Sequence, residues 1–302
     1  MTYRELLESG TARLRDAGDE DAKTDARILF EHLTGMGRGD LLVRGDEEIP
    51  DGDNGIRNGR CLTEHFSSLI EERAGHKPVQ YITGTADFMG LRFLVDENVL
   101  IPRLDTEFLV EEMLREVGDG SSVLDMCTGS GCILLSLMRY KNGIRGTGAD
   151  ISAAALDIAE KNEKIIFDTQ TAMSQGVTEV FDHNKVEWIR SDLFERIEGR
   201  FDHIVCNPPY IKTAVIAGLM PEVRDHEPEQ ALDGGEDGLD FYRIIAGEAG
   251  KHLNRCGSLY LETGYDEGAE VSALLEENGF TDIQILKDYS GNDRVIKARM
   301  KQ

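Results

Sequence analysis

From about residue 120 the chain alternates short apolar strands with amphipathic helices, and no other feature limits its fold so tightly. The pattern predicts strands over 122–126, 146–150, 186–190, 201–206, 258–262, 283–286 and 294–298. Strands joined through helices run parallel, and a parallel sheet needs cover on both faces. The last two strands are joined by the tight turn Gly291-Asn292-Asp293 and are expected to be antiparallel. The fold class is therefore α/β, with a mostly parallel sheet whose last strand is antiparallel.

The first part of the chain reads as helices. Thr2-Tyr3-Arg4-Glu5 has the form of a capping box, followed by Leu6, Leu7, Ala12 and Leu14 at helical spacing. A second helix over 21–33 buries Ala26, Ile28, Leu29 and Phe30 and stops at Gly35. Asp51 to Gly55 is a turn cluster, and a third helix carries Leu62, Phe66, Leu69 and Ile70 on one face. The stretch from Pro78 to Gly84 breaks the helical pattern, and 88–95 reads as a β-hairpin with its turn near Gly90. Three parts follow: a helical domain over 1–76, a linker with the hairpin over 77–100, and the α/β domain over 101–302. The helical domain carries no catalytic constellation; it serves either substrate recognition or packing. Residues 164–184 read as an insertion with no assigned role.

Composition narrows the class of function. The 302 residues are 40% hydrophobic and 30% charged, which fits a globular protein. No apolar run is long enough to cross a bilayer, and the first residues lack the apolar core of a signal peptide. Five scattered cysteines are expected as free thiols in a reducing cytoplasm. Cys127 and Cys132 are not spaced as a zinc knuckle, so no metal site is expected. The formal net charge of −24 argues against tight, non-specific binding to nucleic acid, which depends on Lys and Arg neutralising phosphates.

In an open parallel sheet, ligands bind at the carboxyl ends of the strands. Four such ends carry polar residues: Asp125, Asp150, Asp192 and Asn207. Thr128-Gly129-Ser130-Gly131 follows the first strand, and its glycines let backbone approach a ligand where a helix begins. Leu134 stands where the third glycine of a dinucleotide fingerprint would be, so a pyrophosphate is not required. An acid at the end of the second strand can accept both hydroxyls of a ribose. An adenosine with a short charged tail, such as S-adenosylmethionine, fits better. Each acid also has a plainer role open to it: Asp125 and Asp150 as helix caps, Asp192 as a turn residue.

The fourth strand runs straight into Asn207-Pro208-Pro209-Tyr210. Two prolines with fixed φ and no backbone N–H force a stiff, extended turn. The Asn207 side-chain oxygen and the Pro208 carbonyl can accept both hydrogens of a planar –NH2 group. Such a nitrogen is a poor nucleophile, and the two acceptors would aim it and stabilise the positive charge growing on it. Tyr210 would wall the pocket or stack on a flat substrate.

These residues together resemble the class I S-adenosylmethionine-dependent methyltransferases, with a Rossmann-like sheet. More narrowly, the chain resembles the release factor glutamine methyltransferases. The resemblance spans nearly the whole chain. It includes the stretch from Pro78 to Gly84, Ile101-Pro102-Arg103 with Asp105-Thr106-Glu107, Asp125 with Thr128 to Gly131, and Asp192-Leu193-Phe194. It continues through Asn207 to Tyr210, Leu261-Glu262 with Gly264-Tyr265, and Gly291 to Arg294. The resemblance implies that Thr128, Gly129, Ser130, Gly131, Asp150, Asp192, Leu193 and Asn207 contact the methyl donor. It implies that Asn207, Pro208, Pro209 and Tyr210 hold a glutamine amide. The implied substrate is the glutamine of the Gly-Gly-Gln motif in class 1 peptide chain release factors, docked with help from the helical domain. Leu104 departs from the family's proline and Leu193 from its frequent tryptophan; both would loosen donor binding. A nucleic-acid amino-group methyltransferase is the alternative enzyme, since adenine and guanine also present a planar –NH2. A binding protein without catalysis is the alternative of another class.

Overall fold

The computed structural model describes residues 1–50, 61–168 and 185–300, and the chain divides into two compact units. The first comprises Met1–Gly84 with Met220–His226. Its helices are α1 (Tyr3–Asp16), α2 (Ala22–Thr34), α3 (Arg38–Arg44), α4 (Leu62–Ala74) and α5 (Val79–Thr83). The capping box forms as the sequence requires: Glu5 N donates to Thr2 Oγ1 at 3.2 Å and Thr2 N to Glu5 Oε2 at 2.8 Å. Gly35 ends α2 in the left-handed conformation. Phe30 is fully buried and meets Tyr3 and Phe66 edge to face, at ring separations of 6.2 and 5.8 Å.

Two expectations change here. The first compact unit runs to Gly84, past the boundary expected at 76, because Pro78 starts a helix instead of ending one. Proline suits a helix start, where its missing N–H has no partner to lose. Helix α3 left no apolar stripe to read, since Leu42 and Val43 are both exposed. The turn cluster at Asp51–Gly55 lies outside the described residues.

Arg73 is buried in this unit and paired with Asp25 at 2.6 Å, Glu222 at 3.1 Å and Asp19 at 3.2 Å. Through Glu222 it ties Met220–His226 to the helices by charge.

The second unit holds Thr85–Leu219 and Glu227–Gln302. It begins with the hairpin β1 (Thr85–Phe88) and β2 (Leu91–Leu94), so the hairpin is part of the α/β unit and not of a linker. Met89 and Gly90 both have positive φ, the conformation a two-residue hairpin turn needs. There follow α6 (Leu104–Glu116), β3 (Ser122–Met126), α7 (Cys132–Tyr140), β4 (Arg145–Asp150) and α8 (Ala153–Phe167). The chain continues through β5 (Lys185–Arg190), β6 (Phe201–Cys206), a helix at Asp240–His252 and β7 (Leu253–Glu262). It closes with a helix at Gly268–Glu277, β8 (Phe280–Lys287) and β9 (Asp293–Met300). The start of the expected insertion, up to Phe167, is the end of α8; residues 169–184 lie outside the described residues.

Among the described residues the sheet has seven strands in the order β5-β4-β3-β6-β7-β9-β8. Only β9 runs against the others, pairing antiparallel with both β7 and β8. Both faces are buried, and successive residues alternate between them. Leu124, Ile204 and Leu259 face the Asp240–His252 side with Tyr242 and Ile245, while Val123, Val205 and Tyr260 pack with Leu109 and Leu134. Gly148 in β4 is where the ring of Trp188 lies; an added Cβ would come within 2.2 Å of it.

Replacing Arg73 with Met keeps most of the apolar volume but strands buried carboxylates. Arg73→Met is expected to destabilise the protein by about 3–5 kcal/mol in denaturant unfolding.

Candidate active site

The order of strands reverses its direction of growth between β3 and β6, and a ligand hollow is expected at their carboxyl ends. A cavity of about 330 Å³ lies there, lined among others by Thr128, Gly129, Asp150, Leu193, Asn207 and Pro209. Its size falls at the lower end of the range for small-molecule sites.

The turn after β3 is tied to the end of β4. Thr128 N donates to Ala149 O at 3.0 Å, and Gly129 N donates to Asp150 Oδ2 at 2.9 Å. The other oxygen of Asp150 accepts from Ser152 N at 2.9 Å, while Ser152 itself caps α8. Both Asp150 oxygens are thus fixed by backbone, and the carboxylate's acceptor sites leave room for a ligand hydroxyl. Burial raises the Asp150 pKa. Gly129 has φ of +53°, and no atom stands within 4 Å of where its Cβ would be, so its backbone is bare toward the hollow.

Asp192 and Leu193 bring the end of β5 to the same cavity. Ser191 fixes this turn by donating to Leu193 O at 2.7 Å and accepting from Arg196 N at 3.0 Å. Leu193 is held at φ of +42°, a conformation costly for a branched side chain, and its buried side chain gives the hollow an apolar wall. Across the cavity, Asn207 donates from Nδ2 to Thr106 Oγ1 at 3.3 Å. The turn it begins is braced: Ile211 N donates to Leu232 O at 2.9 Å and Gly234 N to Ile211 O at 2.8 Å. Gly234 is required there, since a Cβ would sit 2.6 Å from Tyr210 Cα.

Eight of the expected site residues line the cavity: Thr128, Gly129, Ser130, Asp150, Asp192, Leu193, Asn207 and Pro209. Four do not. Asp125 is fully buried beneath the turn, where its Oδ2 accepts from Thr128 Oγ1 at 2.6 Å and its Oδ1 has no partner. Burial pushes its pKa up to about 7. Gly131 packs toward Trp188, Leu135 and Ala159. Pro208 and Tyr210 are not among the residues that line the cavity. The cavity also recruits Pro102 and Arg103 ahead of α6, Thr106 in its first turn, and Cys127, Gln230 and Phe241. The first three stood inside a motif noted in the sequence, without an assigned role. Arg103 pairs with the buried Glu227 at 2.6 Å. Leu104 is 79% exposed at the first position of α6 and does not reach the hollow, so its departure from proline leaves the cavity wall unchanged.

A bare glycine turn, an anchored carboxylate and an apolar wall fit S-adenosylmethionine. Together with the parallel sheet and its reversed edge strand, they define a class I methyltransferase that uses this donor. Residues 5–84 match the family model described as the PrmC N-terminal domain, and residues 103–220 match the methyltransferase small domain. The chain is 40% identical to the release factor glutamine methyltransferase of Agrobacterium fabrum, over 95% of this chain and 93% of that one. It is 37% identical to that of Geobacter sulfurreducens, over 99% and 97%. The solved protein-(glutamine-N5) methyltransferase of Alicyclobacillus acidocaldarius is 30% identical, over 70% of this chain and all of that one, with a TM-score of 0.39. The chain belongs to the release factor glutamine methyltransferase family.

The raised pKa of Asp125 sets a pH dependence. An acid whose pKa rises on folding contributes stability at low pH that is lost between its unfolded value, near 4, and its folded value, about 7. Asp125→Asn lacks this loss. Its stability relative to the parent protein is expected to improve as pH rises from about 4 to about 7, measured by denaturant titration at a series of pH values.

Proposed function

We propose that this enzyme transfers a methyl group from S-adenosylmethionine to the side-chain amide nitrogen of the glutamine in the Gly-Gly-Gln motif of class 1 peptide chain release factors. The observation that carries the reading is the Asn207 amide, whose Nδ2 is tied back to Thr106 while the residue lines the cavity. Its carbonyl oxygen is then the end offered to an incoming –NH2 group. The reading is supported by relatives named release factor glutamine methyltransferase.

The donor, when bound, supplies a methyl group on a sulfonium, which is already a good leaving group. Asp150 would hold its ribose hydroxyls, Gly129 would let it lie against the backbone, and Leu193 would pack beside its adenine. Asn207 and the turn it opens would fix the glutamine nitrogen in line with the methyl carbon. Held this way, the nitrogen needs no strong base before attack, because positioning alone can be worth effective molarities of ~10⁵ M or more. As the C–N bond forms the S–C bond breaks, its electron pair staying on sulfur, and the positively charged nitrogen then releases its proton to solvent. The helical unit would help dock the release factor. Net charge of −24 fits a protein substrate better than a base flipped from a nucleic acid. Among the described residues no helix is long and apolar enough to cross a membrane, and all five cysteines are free, which supports work in the cytoplasm.

Incubation with methyl-labelled S-adenosylmethionine and a class 1 release factor is expected to label the protein at one glutamine. A Gly-Gly-Ala form of the factor, DNA and RNA are expected to stay unlabelled; label on a nucleic acid would overturn the substrate. Asn207→Ala is expected to lose about 10²-fold or more in kcat while remaining folded. Asp150→Ala is expected to weaken donor binding by about 10- to 10²-fold in calorimetry, the range for a lost hydrogen bond to a charged group.

A further inference from the structure

Glu262 ends β7 one residue beyond the point where Leu261 faces Cys206, which sets it level with Asn207, the first residue past the end of β6. It is 1% exposed, and its Oε2 is buried without a hydrogen-bond partner. Hydrogen bonding from Thr106 and Asn207 acts to lower the pKa of this carboxylate. Thr106 is itself buried near the start of α6 and accepts from Asn207 Nδ2. A buried carboxylate left this incompletely satisfied is costly and calls for a role.

We infer that Glu262 is a positioning residue: with Thr106 it takes both hydrogens of the Asn207 amide, fixing Nδ2 inward and Oδ1 toward the substrate nitrogen. The inference deepens the proposed reaction and rests on it for the identity of that nitrogen. The chemistry is directional. An ionised carboxylate only accepts, so it can face Nδ2 but repels Oδ1. Without it the amide can turn over, presenting –NH2 to the –NH2 of the substrate, donor against donor. Glu262 touches neither substrate nor donor; it acts through Asn207.

Burial pushes the Glu262 pKa up to about 7, against the pull of hydrogen bonds from Thr106 and Asn207 and of the Arg294 charge. Arg294, on β9, is shared with Asp105 at 2.9 Å and Asp288 at 3.3 Å. Asp105, on α6, adds a further upward push. The thiol of Cys132 and the hydroxyls of Tyr210 and Tyr242 also feel Glu262, but burial holds all three protonated through neutral pH. Below about pH 7 Glu262 carries a proton that can be donated to Oδ1, so the amide loses its bias and turnover falls. Glu267, pushed up to about 7 by its own burial, accepts from Gly264 N and keeps its titration when Glu262 is replaced.

The test uses the full chain labelled with ¹⁵N-asparagine, the Asn207 side-chain signal being assigned by its loss in Asn207→Asp. In the parent protein that signal is expected to shift with a midpoint near pH 7, and in Glu262→Gln the shift is expected to vanish. With the release factor as substrate, Glu262→Gln is expected to lower kcat by about 10- to 10²-fold, leave the donor KM within a few-fold, and flatten the rise in kcat through pH 7. Thr106→Val is expected to lower kcat in the same way, and Thr106→Ser to restore it. If Glu262→Gln fails to fold, the Thr106 pair decides between the outcomes. An Asn207 signal that titrates unchanged in Glu262→Gln, or equal kcat in Thr106→Val and Thr106→Ser, would overturn the inference. A parent protein that leaves the release factor unlabelled but shows the Glu262-dependent shift would remove the substrate and keep the positioning role.

Discussion

Met126 and Cys206 face each other across two adjacent parallel strands, and the site depends on that register. Because β3 and β6 end level, the glycine turn that follows one and the asparagine that follows the other open on a single hollow. The neighbouring pairs repeat the arrangement. Ala149 faces Ile189 across β4 and β5, and Leu261 faces Cys206 across β7 and β6. A shift of one residue in any of these strands would carry its inward side chains to the opposite face and take Asp150, Asn207 or Glu262 with them. The alternating apolar residues of the strands therefore fix more than the core. They set where the polar residues just beyond it come to rest.

Much of this was legible in the sequence, because strands and helices of this length carry strong periodic signals. The capping box at Thr2, the stop at Gly35, the hairpin turn at Gly90 and all seven sheet strands could be read from local chemistry. Asp150, Asn207 and the glycine turn could be placed at strand ends, since strand ends are where the pattern breaks. Side-chain direction was harder to read. Asp125 sits at a strand end like Asp150, yet it points under the turn, where Thr128 takes it up. Pro208 and Tyr210 share a tetrapeptide with Asn207 but do not line the cavity with it. Arg103 and Thr106 reach the cavity from the start of α6, a long-range meeting that no local pattern encodes. Helix α3 and the start at Pro78 were missed because one has no buried face and the other begins with a residue that more often ends helices.

The electrostatics of the second unit follow one pattern. Its deepest carboxyls, Asp125 and Glu262, lie fully buried with one oxygen each lacking a partner, and burial raises both to about 7. Carboxyls nearer the surface with good partners move the other way. Asp202, held by Ser122 and Asn254, and Asp288, held by backbone N–H groups, are both lowered. A protein with a net charge of −24 thus keeps its least comfortable acids next to its reactive corner, where a partly satisfied group can still influence a neighbour.

Met220–His226 is counted with the helices although the chain on either side of it is counted with the sheet. The polypeptide therefore passes between the two units three times rather than once. A helical cassette joined by one tether can be cut away or exchanged at that tether; this one cannot. Cleavage after Gly84 would leave the short segment around Glu222 still attached to the sheet and deprived of Arg73. The two halves of such a chain are constrained to be inherited and engineered together.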